Sequence, residues 1–190
     1  MCVPLISNPF FCVFLTISRP HPVIDAWSRR FGYDTADRAE KILRRLVHNQ
    51  QLTNNKSLLP DAITYTAVMK TYVNQPRGGE KALAILREMN DQCINGNHKA
   101  KPDVRALAVA MDACAKSGLT SEAERILNDV PDLKKSEVLF NTVISGYKSE
   151  GRGLEAEAVL RRMISLDNAG LHRCAPDSIS YSLCIMAVSR

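Results

Sequence analysis

Apolar residues recur along this chain at helical spacing. Ala39, Ile42, Leu43 and Leu46 sit at offsets i, i+3, i+4 and i+7, which is one face of an α-helix. The pattern returns at Ala82, Ile85, Leu86 and Met89, at Ala123, Ile126, Leu127 and Val130, and at Ala156, Val159, Leu160 and Met163. Ala holds the first position each time, and a small residue at a fixed place lets a neighbouring helix come close. The positions between are mostly charged, so each of these helices is expected to bury one face only.

A second apolar pattern precedes each of these. Tyr65, Val68, Met69 and Tyr72 keep the same four offsets, as do Leu107, Ala110, Met111 and Cys114. So do Phe140, Val143, Ile144 and Tyr147, then Tyr181, Cys184, Ile185 and Val188, with a degenerate copy at Pro20, Val23, Ile24 and Trp27. Glycines stand between the paired patterns: Gly32, Gly78 and Gly79, Gly118, and Gly151 and Gly153. They are expected to end the first helix and turn the chain. The unit is therefore helix, short turn, helix.

The phase holds from unit to unit. Tyr65 to Leu107 spans 42 positions, Leu107 to Phe140 33, and Phe140 to Tyr181 41, while the alanines of the other pattern lie 43, 41 and 33 apart. The extra residues fall after Leu46, Met89 and Met163, where polar loops are expected along one edge of a stack. A single unit cannot cover its own apolar faces, so successive units must stack into an all-α solenoid.

Composition agrees with this and adds little. The chain has 190 residues, 45% of them hydrophobic and 24% charged, which suits a packed domain rather than a disordered one. Aromatics make up only 6%, and β-branched residues do not alternate, which argues against a sandwich or barrel. The formal charge of +5 permits a polyanionic partner without demanding one. The arginines Arg44, Arg45, Arg161 and Arg162 fall on second helices and read as a solvated outer face. The six cysteines form no Cys-x-x-Cys, and nothing completes a metal site around His172 and Cys174. They read as free thiols of a reducing compartment.

No apolar run reaches the roughly 18–20 residues that span a bilayer. The apolar stretch from Pro9 to Ile17 is short and lacks a basic N-terminal flank, so a secretory signal fits poorly. An organelle transit peptide shares its lack of acidic residues but not its lack of arginine. A leader foreign to the mature protein is the third reading, and the residues leave all three open. No phosphate loop, serine elbow or His-x-Glu with Cys-x-x-Cys appears, so no catalytic residues are assigned.

Three dipeptides separate this chain from other helix-pair repeats: Pro60-Asp61, Pro102-Asp103 and Pro176-Asp177, each just before a first helix. Ile63-Thr64-Tyr65-Thr66 and Ile179-Ser180-Tyr181-Ser182 follow two of them. Phe140-Asn141-Thr142-Val143-Ile144-Ser145-Gly146-Tyr147 lies at the same phase without a Pro-Asp before it. Such units resemble the pentatricopeptide repeat. They lack the tryptophan and Leu-Gly pair that a tetratricopeptide repeat carries in its first helix.

The resemblance covers the chain from about Val23 to Arg190. It implies a right-handed α-solenoid of stacked antiparallel helix pairs. Residues 1–19 are a leader, 20–61 a degenerate first repeat, and 62–103, 104–136 and 137–177 repeats two to four. Residues 178–190 are the first helix of a fifth repeat cut short, whose face of Tyr181, Cys184, Ile185 and Val188 is expected to be partly exposed.

The resemblance further implies single-stranded RNA as the partner, read at one base per unit. The fifth and last residues of a unit meet the base edge, and the second packs on the base face. The reading pairs are then Thr66 with Asp103, Ala108 with Ser136, and Asn141 with Asp177. The packing positions are Ile63, Arg105, Val138 and Ile179. Arg105 departs from the usual apolar choice, although a guanidinium also stacks on bases. The family's pairing preferences imply guanine for Thr66–Asp103 and uracil for Asn141–Asp177, and little readout from Ala108.

A competing reading has the aspartates simply capping the helices that follow, since Asp is a strong N-cap. A protein-binding solenoid using the same concave face is the alternative function. Stacking contributes ~1–3 kcal/mol per base and association costs ~4 kcal/mol or more, so three usable units bind RNA weakly. The family implies work in a mitochondrion or plastid, with other RNA-processing proteins of that organelle as further partners. It implies no cofactor, no metal, no membrane and no small-molecule substrate.

Overall fold

The structure, a computed structural model, describes residues 33–53 and 59–189. The leader and the degenerate first helix around Trp27 lie outside the described residues. Among those described there are eight α-helices and no strand. They are α1 (Tyr33–Thr53), α2 (Ala62–Tyr72), α3 (Gly78–Ile94), α4 (Val104–Lys116), α5 (Thr120–Asp129), α6 (Glu137–Glu150), α7 (Gly153–Asn168) and α8 (Ser178–Val188).

α2 pairs with α3, α4 with α5, and α6 with α7, as the doubled apolar pattern requires. The first helices α2, α4, α6 and α8 touch one another in series. Each second helix packs on the first helix of the next unit, and α3, α5 and α7 pack also on their own first helices. Within their own layer the second helices meet through long polar side chains instead. Arg44 of α1 reaches Glu88 of α3 at 2.7 Å, and Arg162 of α7 bonds Asn128 of α5. One close layer and one spread layer curve the stack, with the first helices on the inside.

The repeated apolar positions form one continuous core. Ala39, Ala82, Ala123 and Ala156 are all fully buried, as are Leu43, Met89, Leu127 and Met163. Tyr65, Val68, Phe140, Val143 and Ile144 bury equally on the first helices. Two tyrosines at the seventh offset tie units together through the preceding second helix: Tyr72 Oη donates to Glu40 and Tyr147 Oη to Glu124, each at 2.5 Å. Burial, with the bond to Glu124, pushes the Tyr147 phenol up to about 12. In the middle unit Cys114 takes that position, and burial pushes its thiol up to about 11. That thiol stays protonated, which suits packing rather than chemistry.

The junctions between units carry a second interlock. The N-terminus of α3 is capped by the next unit, with Gly79 N–H donating to Ser117 Oγ at 2.8 Å. The N-terminus of α5 is capped in the same way, with Thr120 N–H donating to Glu150 at 3.0 Å. Ser117 and Glu150 sit at matching places at the ends of α4 and α6, and each supplies an acceptor that an exposed helix N-terminus needs.

Gly32 lies outside the described residues. Among those described, the glycines between paired helices divide into two roles, which corrects the expectation that all of them turn the chain. Gly118 and Gly151 do so, both with φ of 73°, closing α4 and α6. In the turn after α2 the left-handed residue is instead Arg77, with φ of 58°. Gly79 and Gly153 lie inside second helices and serve close approach. A Cβ on Gly153 would stand 2.8 Å from the Ala187 carbonyl oxygen, and one on Gly79 would stand 3.0 Å from Cys114 Cα.

The expected polar loops are also corrected. Helices α1, α3 and α7 run on into those stretches, to Thr53, Ile94 and Asn168. Two of the stretches then make the same short turn, His98–Ala100 and His172–Cys174, with Ala100 and Cys174 buried in the core. The sequence around both reads Gly-x-His-basic-small-x-Pro-Asp, from Gly96 to Asp103 and from Gly170 to Asp177. At the last unit, α8 packs on α6 and α7 and buries Cys184, while Tyr181, Ile185 and Val188 stay exposed.

Candidate nucleic-acid interface

The inner layer presents the first turn of each first helix, and local sequence fixes that turn. Asp61, Asp103 and Asp177 each adopt extended backbone and stand as N-caps of α2, α4 and α8. Each accepts the N–H three residues on, from Thr64, Ala106 and Ser180, at 2.8 Å in all three cases. The prolines before them suit the extended entry. Ser136 takes this place before α6, and its side chain makes no capping bond.

The capping and reading roles meet at Asp177. Its Oδ1 accepts from the N–H of Ser180, as above, and also from Asn141 Nδ2 on α6 at 3.3 Å. Ser180 Oγ lies 2.7 Å from Asn141 Oδ1 and 2.7 Å from Asp177 Oδ1. The Ser180 N–H, helped by Asn141, outweighs desolvation and holds the Asp177 carboxyl below its ordinary range. The site therefore keeps a full negative charge at neutral pH.

Around this pair runs a groove of about 600 Å3 between α4, α6 and α8. Val138 and Ile179 flank it, both at the second position of a unit and 61% and 58% exposed. Ala115 and Gly146 supply small residues to its wall, and Asp112 and Lys116 pair at its edge at 3.0 Å. The four residues assigned to the fourth unit and its successor (Asn141, Asp177, Val138 and Ile179) thus share one groove.

The other assigned residues are placed differently. Thr66 is largely buried, and its hydroxyl donates to the Ala62 carbonyl of its own helix at 2.6 Å. No hydrogen bond joins it to Asp103 among the described residues. Asp103 instead pairs with the exposed Arg105, whose Nε donates to Oδ2 at 3.3 Å. Ala108 packs against the core, and Ser136 is half-buried without a capping bond. Ile63 is half exposed on the first turn of α2, at the place Val138 and Ile179 occupy in their helices. Ser180 is the residue that sequence reasoning missed. Its signal is the repeated Asp-x-x-hydroxyl spacing, Asp61 to Thr64 and Asp177 to Ser180.

No group of three or more His, Cys, Asp or Glu able to hold a metal occurs among the described residues. No described helix is long and apolar enough to cross a membrane. The PPR repeat family matches residues 109–133 and 138–168, which take in most of α4 and all of α5, α6 and α7 apart from the first residue of α6. A pentatricopeptide repeat-containing protein of Arabidopsis thaliana, named as chloroplastic, is 27% identical over 132 residues, covering 68% of this chain and 16% of that protein. A second pentatricopeptide repeat-containing protein of the same plant is 31% identical over 109 residues, covering 56% of this chain and 21% of that protein. The chain thus spans about a fifth or less of these relatives.

Proposed function

This chain is a pentatricopeptide repeat protein, and we propose that its inner face holds single-stranded RNA, reading a base most closely at Asn141 and Asp177. The observation that carries this is the shared groove. Two exposed apolar side chains, Val138 and Ile179, stand either side of a hydrogen-bonded Asn–Asp pair. A base is flat, apolar on its faces and polar at its edge, and this arrangement matches both features.

Asn141 keeps one N–H and one lone pair beyond its bonds to Asp177 and Ser180. A uracil edge, which alternates acceptor and donor, complements them. Phosphate is a poor occupant of the same space, since Asp112, Glu137 and Asp177 all line it. The RNA backbone therefore runs along the rim, with bases turned inward. The step served is organelle RNA processing, stability or translation, in a mitochondrion or plastid.

Those three carboxylates also favour a second reading, a protein-binding solenoid that takes a basic side chain in the groove. The two separate in one titration of the full chain with short single-stranded RNAs that differ at one base, at rising salt. RNA reading predicts binding that weakens with salt and differs among the four bases. Absence of RNA binding even at low salt overturns it.

A further inference from the structure

Ser180 is the third residue of its unit, yet its hydroxyl lies between the fifth and last residues of the unit before, Asn141 and Asp177. It is fully buried on the first turn of α8. Its Oγ also accepts the Asp177 N–H at 3.2 Å, which completes a capping box and fixes the side chain. A hydroxyl has one proton, and here two acceptors compete for it, Asn141 Oδ1 and Asp177 Oδ1. Asp177 Oδ1 already has N–H donors from Ser180 and Asn141. Asn141 Oδ1 has no other donor among the described residues, so the proton is best used there.

We infer that Ser180 is a positioning residue of this reading site, orienting the Asn141 amide from the following unit. With its oxygen on Ser180 and its nitrogen on Asp177, the amide cannot exchange ends without pointing a carbonyl at a carboxylate. Its free N–H and lone pair then face the groove in one fixed order. Base preference is set by three side chains from two units, not two. The other units bear on this. Beside Asp103 the equivalent residue is Ala106, and there the fifth-position side chain, Thr66, turns away to its own helix. Thr64 holds the equivalent place beside Asp61 and makes the same contact, Oγ1 to Oδ1 at 2.7 Å.

This inference rests on reading Asn141 and Asp177 as a base-reading pair. The test uses the full chain, Ser180→Ala and Ser180→Thr, with four short single-stranded RNAs differing only at the base opposite this unit. The Asn141 side-chain amide signal is recorded by NMR without RNA. Ala106 shows that an Asp cap survives with alanine at this position, so Ser180→Ala is expected to fold. Expected is a loss of preference among bases of about 3–10-fold in Ser180→Ala, the scale of one hydrogen bond. Ser180→Thr should retain the preference, and the Asn141 amide signal should move in the alanine variant only. A uniform loss of affinity with preference unchanged, or an unmoved amide signal, overturns the inference. Absence of any base preference in the wild type overturns the Asn141–Asp177 reading itself, and with it this one.

Discussion

Asn141 Nδ2 donates to Asp177 Oδ1 at 3.3 Å, and the same carboxylate oxygen caps α8 by accepting the Ser180 N–H at 2.8 Å. Capping and presentation to the groove are therefore not rival roles for this residue. One oxygen serves the fold and orients Asn141, and the bonds described leave Oδ2 for a ligand. Asp177→Asn is expected to keep thermal stability nearly unchanged, because Asn caps about as well as Asp. Asp177→Ala should lose about 1 kcal/mol. Both should alter base preference in RNA titrations. An Asp177→Asn protein with the wild-type base profile would leave the carboxylate a cap only.

The charge of Asp177 gives a pH signature. Its folded-state pKa lies below the ordinary value of 3.8, through the Ser180 N–H above all. A depressed carboxyl stabilises the fold fully above its unfolded pKa, and that contribution fades as pH falls through the folded value. Asp177→Asn has no such proton to take up. Thermal unfolding of both proteins from neutral pH into acid should show wild type losing stability relative to the variant only below about pH 4. A constant difference across the whole range would mean that the carboxyl is not stabilised by folding.

The helix pairs were legible because burial imposes a period on the sequence. All four positions of the pattern beginning at Ala82, and likewise at Ala123 and Ala156, are buried as their spacing requires. What was not legible depends on where side chains end up in space. Ser117 and Glu150 cap helices 38 and 30 residues away, and no local pattern announces that. Thr66 and Asn141 hold the same position in their units, yet one bonds its own helix and the other the next unit. A short hydroxyl reaches the carbonyl one turn back, whereas a carboxamide extends past it. The loop anchors Ala100 and Cys174 were hidden because a single small residue in a polar stretch has no period to betray it.

At Gly153 the backbones of α7 and α8 approach closely. A Cβ there would meet the Ala187 carbonyl oxygen at 2.8 Å and Val188 Cα at 2.9 Å, both backbone atoms that cannot rotate aside. Gly153→Ala should therefore push α8 off α7 and lower unfolding stability by about 1–3 kcal/mol, the scale of an overpacked core. It should also weaken RNA binding at the Asn141 groove, since Asp177 and Ile179 move with α8. Chemical denaturation measures the first effect, and an unchanged midpoint would contradict the packing described.

Arg77 offers the opposite case. It holds a left-handed backbone, φ 58°, with an exposed ion pair to Glu80 as its side-chain contact. An exposed pair of this kind contributes little, while the left-handed conformation costs a non-glycine residue about 1 kcal/mol. Arg77→Gly is expected to raise stability by up to about 1 kcal/mol, less the greater freedom glycine gives the unfolded chain. A clear fall in the thermal midpoint would show that the Arg77 side chain holds the turn.

Asn141→Thr tests the reading of the groove directly, because Thr66 already shows what a threonine does at this position. Its hydroxyl donates to the carbonyl one turn back. At position 141 that carbonyl belongs to Glu137, and a threonine there would release both Asp177 and Ser180 from the amide. The wild-type order of one donor and one acceptor would be lost, and the carboxylate would become the dominant acceptor in the groove. A lone carboxylate selects a base edge rich in N–H groups, and guanine offers two adjacent donors where uracil offers one. The preference of this unit should move from uracil toward guanine. The shift should be on the order of 1–3 kcal/mol, the usual scale of a single mismatched base at a nucleic-acid site. Stability should change little, because Asn141 is only half-buried and lies outside the apolar core. Short RNAs differing at the base opposite this unit provide the measurement. An unchanged base order would separate Asn141 from recognition and leave the groove to a protein ligand.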